Sequence, residues 1–235
     1  MRRDGRSVND AHDRVRAAIV SGRFPPGSYT TQVAIGRELG ISRTPLREAV
    51  RMLARDGLIE LEPNQRVRIT PLSIDDVEEL YAMRIALETL AICKTVPLFS
   101  DADVAELESL CETASREAEG YASRGDGLFE RAEAAHDVFH HRFISGAGPR
   151  LADAIAQLSD HADRYRLVNL MLSSFPDRDA TRRAMVAATR TRDGAAVAAA
   201  FAGHCKRSAE KLIEELRREP PNAMLEPGAL RVLEA

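Results

Sequence analysis

Residues 29–70 constrain the fold of this chain more than any other segment, because their pattern is that of two short helices, a tight turn and a hairpin. Their sequence is YTTQVAIGRELGISRTPLREAVRMLARDGLIELEPNQRVRIT. Gly40 lies where the first helix must end, and glycine tolerates the left-handed conformation of a helix C-terminus. Ser42 is a suitable N-cap for the second helix, and Pro45 fits its first turn, where a missing N–H costs little. This order predicts a helix-turn-helix followed by a two-stranded wing.

The second helix of this pair has one apolar face and one arginine-rich face. The apolar positions repeat at i, i+4 and i+7, at Leu46, Val50 and Leu53. The opposite face carries arginines at four-residue intervals, at Arg43, Arg47 and Arg51. A recognition helix places its N-terminal residues against base edges in the major groove, where arginine can pair with guanine. The hydroxyls of Ser42 and Thr44 suit phosphate oxygens, so this end of the helix is the predicted DNA contact.

A row of arginines on a helix is also typical of a face that is merely solvated. Here the row lies within the pattern Gly-x-Ser-Arg-Thr-Pro-x-Arg-Glu-Ala, between two predicted helices. Asp56-Gly57-Leu58-Ile59 follows, with Gly57 ending the helix, residues 58–61 starting the wing and residues 67–70 returning. This context favours DNA binding over the solvated face.

Residues 12–72 resemble the DNA-binding domain of the GntR family of bacterial transcription regulators. The matching positions are Ile19-x-x-Gly22, Pro26-Gly27, residues 39–49, Leu53, residues 56–59 and Pro63-Asn64. The resemblance implies that Ser42, Arg43, Thr44 and Arg47 contact DNA, and that the wing tip, here Gln65 and Arg66, enters the minor groove. The chain departs from the family at Arg66, where glycine is usual. Arginine suits the potential of a narrow minor groove, but we expect it to strain a tight turn that glycine would fill freely.

Length and composition are those of a soluble protein with two domains. The chain has 235 residues, of which 44% are hydrophobic and 29% charged. No apolar run reaches the roughly 18 residues of a membrane span, and no apolar stretch follows the basic N-terminus as in a secretory signal. Three scattered cysteines, Cys93, Cys111 and Cys205, show no metal-ligand spacing and cannot all pair. We therefore predict mostly buried thiols in a reducing cytoplasm and no membrane partner.

The two parts of the chain carry opposite charge. Residues 1–70 contain 13 arginines and 8 acidic residues, a net charge of +5, whereas the rest contains 20 basic and 28 acidic residues, a net charge of −8. A basic module joined to an acidic one fits a DNA reader attached to a domain that does not touch DNA. One weakly basic copy makes few phosphate contacts, and a homodimer would roughly double them.

The predicted fold class is mainly α, with a winged helix-turn-helix followed by an all-α bundle of about six helices. Residues 70–73 are the predicted linker, since Pro71 ends the return strand and Ser73 can cap a helix. Beyond the linker, helical periodicity covers residues 74–95, 101–120, 128–145, 150–172, 177–191 and 193–218. The predicted domains are thus residues 1–72, which bind DNA, residues 73–218, which form the bundle, and a C-terminal tail over 219–235.

Residues 74–217 resemble the ligand-sensing (FCD-like) domain of FadR-type GntR regulators. The matching motifs are Arg84-x-x-Leu87-Glu88-x-x-Ala91, Phe139-His140, Pro149-Arg150-Leu151, Arg192-Asp193 and His204. In that family a metal is often held at four positions, which in this chain are His136, His140, Arg182 and His204. Arg182 cannot act as a ligand, because a guanidinium has no lone pair to give.

Histidines are the candidate metal ligands of the bundle. His136 and His140 lie four residues apart on one helix and point the same way, and His204 on the last helix can reach the same interior point. One interpretation keeps these three histidines as ligands of Zn²⁺ or another divalent ion, completed by water or an effector carboxylate. The other has no metal, and Arg182 holds the carboxylate instead. Asp137 and His141 have the same spacing and offer an alternative register, although His141 is otherwise interpreted as a polar surface group.

These features predict a transcription regulator, with repression as the expected direction, that binds a palindromic double-stranded DNA operator as a homodimer. Its helical domain is expected to bind a small metabolite, most simply an organic acid, because histidine and arginine in a pocket favour anions. The predicted effector-binding residues are Arg182, Arg164, Tyr165, His140 and His204. Two alternatives are a metal-dependent enzyme, for which the chain lacks a nucleophile elbow, phosphate loop or HExxH motif, and a DNA binder without an effector.

Overall fold

The computed structural model describes residues 7–124, 129–165 and 175–218, and it has the predicted mainly α fold with one small antiparallel sheet. The buried hydrophobic residues form two separate cores, one between Ala11 and Ile69 and the other between Leu72 and Leu216. We refer to residues 8–69 as the winged-helix unit and to residues 74–218 as the helical bundle.

The winged-helix unit contains three helices and three strands. In chain order these are α1 (Val8–Val20), β1 (Tyr29–Thr31), α2 (Gln32–Leu39), α3 (Arg43–Arg55), β2 (Ile59–Glu62) and β3 (Arg66–Ile69). The strand order is β1-β3-β2, and β3 is antiparallel to both neighbours, with Tyr29 opposite Arg68 and Ile59 opposite Ile69. The predicted two-stranded wing therefore has a third strand. The three residues of β1 show no period of their own, and they are extended because they pair with β3.

The turn between α2 and α3 has the predicted geometry. Gly40 is left-handed, with a φ of 62°, and ends α2. Ser42 takes the N-cap position of α3 with extended backbone, although its hydroxyl makes no capping hydrogen bond within the described residues. Pro45 and the predicted stripe of Leu46, Val50 and Leu53 are buried, which confirms the two faces expected for α3.

The wing turn corrects the expectation of strain at Arg66. The left-handed residue of this turn is Asn64, with a φ of 60°, inside the short 3₁₀ turn Pro63–Gln65. Arg66 follows with a φ of −71° and a ψ of 144°, which any residue adopts easily. Asparagine tolerates the left-handed conformation better than most residues, so the turn does not need glycine at position 66.

The helical bundle contains helices α4 (Ile74–Thr95), α5 (Asp101–Arg124), α6 (Phe129–Ile144), α7 (Pro149–Ala162), α8 (Phe175–Thr189) and α9 (Gly194–Arg218). The hydroxyl of Ser73 accepts a hydrogen bond from the backbone N–H of Asp76 and so caps α4, as the sequence predicts. None of the helices in these described ranges combines the length and apolarity needed to cross a membrane.

Helix α7 is shorter than the predicted helix over 150–172. It ends at Ala162 and continues as a 3₁₀ turn, Asp163–Tyr165, in which all three side chains are buried. Consecutive residues of an α-helix point about 100° apart, so three neighbours cannot all be buried on one helical face. In the 3₁₀ turn the three side chains point about 120° apart, and they are buried because partners lie on more than one side: Asp163 contacts Arg16, whereas Arg164 and Tyr165 bind Asp76. The remaining predicted residues, 166–172, and the tail over 219–235 lie outside the described residues.

Helices α4 and α9 form the most extensive contact of the bundle. Their close approach depends on Gly194, because a Cβ atom at this residue would lie 3.1 Å from Cα of Cys93. Phe139, Phe143 and Phe201 fill the core around this contact. Cys111 and Cys205 are buried as predicted, whereas Cys93 is exposed.

Candidate nucleic-acid interface and ligand cavity

The N-terminal half of α3 presents polar and cationic side chains to solvent. All five residues predicted to contact DNA from this helix are exposed: Ser42, Arg43, Thr44, Arg47 and Arg51. Arg51 Nη1 lies 3.1 Å from Oε1 of Glu48, and Arg47 Nε lies 3.5 Å from the same oxygen. These pairs are exposed and therefore weak, so both guanidinium groups can exchange Glu48 for a phosphate or a base at little cost.

An open groove of about 680 Å³ runs along this face, between α3, the start of α2 and the wing. Besides the arginines, it is lined by Gln32, Val33, Leu61 and Glu62. Val33 and Leu61 are 60% and 45% exposed, which is unusual for large apolar side chains. The spacing of Val33 from Leu39 and Ile41 predicts a residue that packs between α2 and α3, so its exposure corrects that expectation, and Leu61 was expected only as part of the wing.

The wing carries two arginines that share an aromatic support. The guanidinium carbons of Arg66 and Arg68 lie 5.0 Å and 5.7 Å from the ring centroid of Tyr29. Arg68 also donates a hydrogen bond of 3.2 Å to Glu60, whereas the nearest carboxylate of Arg66, that of Glu62, lies 4.0 Å away. Arg66 is thus the less tightly held of the two. The backbone of Gln65 lies in the wing turn, and its side chain lies outside the described residues.

A second concave site, a cavity of about 230 Å³, lies in the helical bundle and reaches α1 of the winged-helix unit. Its lining includes four histidines: His136, His140, His141 and His204. The other polar and charged lining residues are Arg16, Tyr81, Arg84, Glu88, Asp137, Ser159, Asp160, Asp163, Cys205 and Ser208. All three predicted metal ligands therefore line the cavity. Asp137 and His141, the alternative pair on α6, line it as well.

The rings of the three candidate histidines lie close together. The centroids of His136 and His140 are 4.3 Å apart, and those of His140 and His204 are 6.1 Å apart with nearly parallel planes. A tetrahedral zinc site needs ligand nitrogens at about 2.0–2.1 Å from one ion. Within the described residues, no three or more His, Cys, Asp or Glu side chains are arranged to hold a metal ion. The described residues thus show no preformed site for the metal that the family resemblance implies.

The predicted structural pair of Arg84 and Glu88 also lines the cavity. Arg84 Nε donates a 2.8 Å hydrogen bond to Oε1 of Glu88, which is buried. Burial opposes the charge of Arg84, but the adjacent Glu88 carboxylate holds the pKa of this guanidinium above its ordinary value. Burial raises the pKa of the Cys205 thiol to about 12, so this side chain is neutral in the cavity wall. A neutral thiol is a poor nucleophile.

Three predicted effector residues lie elsewhere. Arg182 is buried on α8, where its Nη2 lies 3.5 Å from Oδ1 of Asp179, and it does not line the cavity. Arg164 donates a 2.7 Å hydrogen bond to Asp76, and the hydroxyl of Tyr165 lies 2.5 Å from the same carboxylate oxygen. Burial and the neighbouring Asp76 raise the pKa of Tyr165, so its hydroxyl keeps its proton. Arg164 and Tyr165 thus connect the end of α7 with the start of α4.

Arg16 and Asp160 line the cavity although no pattern in the sequence indicates it. Arg16 comes from the winged-helix unit, and no spacing along the chain signals that α1 reaches the bundle. Arg84 was visible as the i, i+4 partner of Glu88, but the same pattern is typical of a structural ion pair.

A recognition helix, a wing and a ligand cavity on one chain define a DNA-binding transcription regulator with an effector domain. The chain belongs to the GntR family: residues 8–69 match the model of bacterial regulatory proteins of the gntR family, and residues 79–207 match the FCD domain. Regulators of this family bind DNA and are not enzymes, and their FCD domain binds small-molecule effectors, in some cases with a metal.

Known relatives agree with this assignment. An HTH-type transcriptional regulator from the TAR-I ttuE-ttuC' intergenic region of Agrobacterium vitis is 36% identical over 141 residues, 60% of this chain and 80% of the relative. The HTH-type transcriptional repressor RspR of Escherichia coli is 26% identical over 207 residues, 87% of this chain and 88% of the relative. The solved structure of E. coli McbR/YncC covers 88% of this chain and 97% of its own, with a TM-score of 0.73 and 19% identity. This last likeness shows the shared fold.

Proposed function

We propose that this regulator represses transcription by binding a palindromic operator as a homodimer, and that a small organic acid in the bundle cavity controls this binding. The observation that carries the proposal is the exposed cationic end of α3 on the same chain as a histidine-lined cavity. Such a regulator works where the chromosome is, which places it in the cytoplasm. The proposed division is residues 1–72 for DNA binding and residues 73–218 for effector binding and dimerisation.

Two surfaces of the winged-helix unit are proposed to read DNA. Ser42, Arg43, Thr44 and Arg47 enter the major groove with the N-terminus of α3, where backbone N–H groups and arginines meet phosphates and guanines. Arg51 lies one turn further along the helix and contacts the flanking phosphates. The wing tip, with Gln65 and Arg66, reaches the minor groove, where a narrow groove attracts arginine.

An exposed apolar stripe on α4 supports a homodimer. Met83 and Leu90 are 52% and 51% exposed and lie seven residues apart, so they share one face of the helix, with exposed Ala86 between them. A second copy is the proposed occupant of this stripe, because a symmetric dimer is what places two recognition helices about one turn of DNA apart. One copy of the weakly basic winged-helix unit makes too few phosphate contacts for tight binding.

The size of the cavity favours a small effector. A volume of about 230 Å³ lies below the range of roughly 300–1,000 Å³ that holds drug-sized ligands. A short organic acid fits this space, and a long acyl chain does not. The histidines donate hydrogen bonds to its carboxylate, and Arg84 supplies positive charge. Arg182, the alternative anchor from the sequence, would have to act from outside the cavity.

Selection of DNA from a random pool tests the DNA-binding half of the proposal. We expect the wild-type protein to enrich an inverted repeat whose half-sites are centred about 10 base pairs apart. Arg43→Ala should weaken binding to the selected duplex by about 1–3 kcal/mol and relax the base preference at one position. Arg190→Ala is the matched control, because this exposed arginine pairs with Glu108 in the bundle, away from α3. An enriched site without symmetry, or equal losses in both variants, would contradict the proposal.

A further inference from the structure

Arg16 crosses from the winged-helix unit to the helical bundle. It belongs to α1, and its Nη2 donates a 3.1 Å hydrogen bond to Oδ1 of Asp160 at the end of α7. The same nitrogen contacts Oδ2 of Asp163, whose side chain is only 4% exposed. A carboxylate buried to this extent depends on its cationic partner, because an uncompensated charge in this position is strongly unfavourable.

The segment around these two aspartates, residues 160–165, touches the winged-helix unit at a second point. A Cβ atom added to Gly57 would lie 2.6 Å from Cε1 of His161, so a larger residue here would displace the imidazole ring. Gly57 lies two residues after the end of α3, next to its C-cap Asp56, with a φ of 70°. The recognition helix therefore ends against the 160–165 segment. At the other side of this segment, Tyr165 accepts a hydrogen bond from the backbone N–H of Ser73 in the linker.

The 160–165 segment also forms part of the cavity wall. Asp160 and Asp163 line the cavity together with the histidines, and so does Arg16. One short segment thus has one side towards the cavity and the other towards α1 and the end of α3. Any molecule that enters the cavity meets the groups that hold the winged-helix unit in place.

We infer that Arg16 is an effector-contacting residue supplied by the winged-helix unit, and that its ion pairs with Asp160 and Asp163 couple occupancy of the cavity to the position of the recognition helix. The inference rests on the proposed function and names the regulatory contact of that site. An anionic effector competes with Asp160 for the guanidinium group of Arg16. A ligand that binds more tightly when the winged-helix unit is in one position than in another shifts the unit towards that position. By the same linkage, DNA that binds the unit in one position must change the affinity of the cavity for its ligand.

The absence of tryptophan from the sequence provides a clean probe. Ala156 is an exposed residue of α7 that lines the cavity, so Ala156→Trp places the only indole of the chain at this site. In this background we compare Arg16→Gln with the control Arg23→Gln. The natural Arg23 forms its ion pair with Glu38, within the winged-helix unit. Arg16→Gln should shift the indole emission to longer wavelength, because water replaces the guanidinium group, and Arg23→Gln should not. Identical spectra would overturn the assignment of Arg16 to the cavity.

Hydrogen exchange of the full chain, with the natural Ala156, measures the coupling without any ligand. Arg16→Gln should accelerate amide exchange in residues 8–20 and 149–165 by at least about fivefold relative to Arg23→Gln. Asp160→Asn should produce a smaller change of the same kind. The side chain of Asp160 is 46% exposed, so this variant should fold even if Arg16→Gln does not, and the test remains valid. Unchanged exchange in the folded variants would show that Arg16 is only a surface ion pair.

The duplex selected by the wild-type protein then tests reciprocity. Its addition should change the indole emission of Ala156→Trp, and the added Arg16→Gln should remove most of this change while leaving the protein able to bind DNA. An equal change with and without Arg16 would overturn the coupling. If the wild-type protein selects no duplex, the proposed function fails, whereas the spectra and exchange rates still decide whether Arg16 joins the cavity to the winged-helix unit.

Discussion

The hydroxyl of Tyr165 lies 2.5 Å from Oδ2 of Asp76 and so joins the turn after α7 to the first turn of α4. Arg164 Nη2 binds the same oxygen at 2.7 Å. The first turn of α4 and the 160–165 segment, which are distant in sequence, therefore meet at one carboxylate. This arrangement explains why Arg164 and Tyr165 are buried although they do not line the cavity.

Tyr165→Phe should lower the free energy of unfolding by about 1–3 kcal/mol, because it removes a buried hydrogen bond to a charged group. Urea denaturation monitored by circular dichroism measures this difference. Tyr29→Phe is the matched control: Tyr29 is exposed, and phenylalanine keeps the ring that supports Arg66. If both substitutions have equally small effects, the Asp76 contact contributes nothing to stability.

Gly57→Ala should destabilise the protein more than Gly40→Ala. Both glycines have positive φ values, 70° and 62°, so both substitutions pay about 1–2 kcal/mol for the left-handed backbone. Only Gly57 faces another side chain, His161, whereas a Cβ atom at Gly40 meets nothing within 4 Å among the described residues. Thermal denaturation of the two variants isolates the His161 contact. Adding His161→Ala to Gly57→Ala should recover the difference, and no recovery would place the cause elsewhere.

Arg66→Ala should reduce affinity for the selected duplex and lower the slope of log K against log salt by about one unit. The loss should be largest for sites with A·T-rich flanks, whose narrow minor groove attracts arginine. Fluorescence anisotropy at several salt concentrations measures both quantities. Arg68→Ala serves as the control, because Arg68 is held by Glu60. Equal losses for the two variants would argue against a specific role of the wing tip.

Met83→Glu should convert a dimer to monomers, because it places a charge in the apolar stripe proposed to bind a second copy. Sedimentation velocity measures the change in mass. Val138→Glu is the control, since Val138 is 54% exposed and belongs to α6 rather than to α4. A wild-type protein that is already monomeric, or a dimer that survives Met83→Glu, would contradict the proposed interface.

The stability of the protein should fall as the pH rises from 9.0 towards about 12, in part because of Cys205. Its folded-state pKa is raised from 9.0 to about 12 by burial, so the folded state keeps a proton that the unfolded state loses in this window. Fewer protons on the unfolded state mean that the free energy of unfolding decreases with pH. Cys205→Ala should make this decrease shallower in urea titrations at each pH. Cys93→Ala, at an exposed thiol, is the control for loss of a cysteine. If Cys205→Ala leaves the slope of the free energy of unfolding against pH unchanged, the role of burial is refuted.

Local features of the winged-helix unit were predictable because they depend on neighbours in sequence. Gly40 and the buried stripe of α3 follow from backbone preference and helical period, and both are confirmed. Strand β1 was not predictable in this way, because three residues become a strand only through their partner β3. The strain expected at Arg66 was wrong because Asn64 absorbs the left-handed position.

The cavity shows where reasoning from one sequence stops. The i, i+4 spacing brings His136 and His140 to one wall, and His204 also lines the cavity. Helical period shows which residues share a face but not which neighbouring helix that face meets. It therefore could not show that Arg84 lines the cavity whereas Arg182 lies beside Asp179. Asp163 and Arg16 meet across 147 positions of chain, and only the packed structure brings them together.

The contacts of the 160–165 segment limit how this protein can be recombined. A chimera that joins residues 7–72 to the sensing domain of another regulator would lose the partners of Arg16 and the surface that receives Gly57. If Arg16 couples the cavity to α3 as inferred, such a chimera keeps the recognition helix but loses its response to the new effector. Grafting residues 160–165 together with the N-terminal part would then restore the response, so the unit to be transferred would consist of two separate segments of the chain.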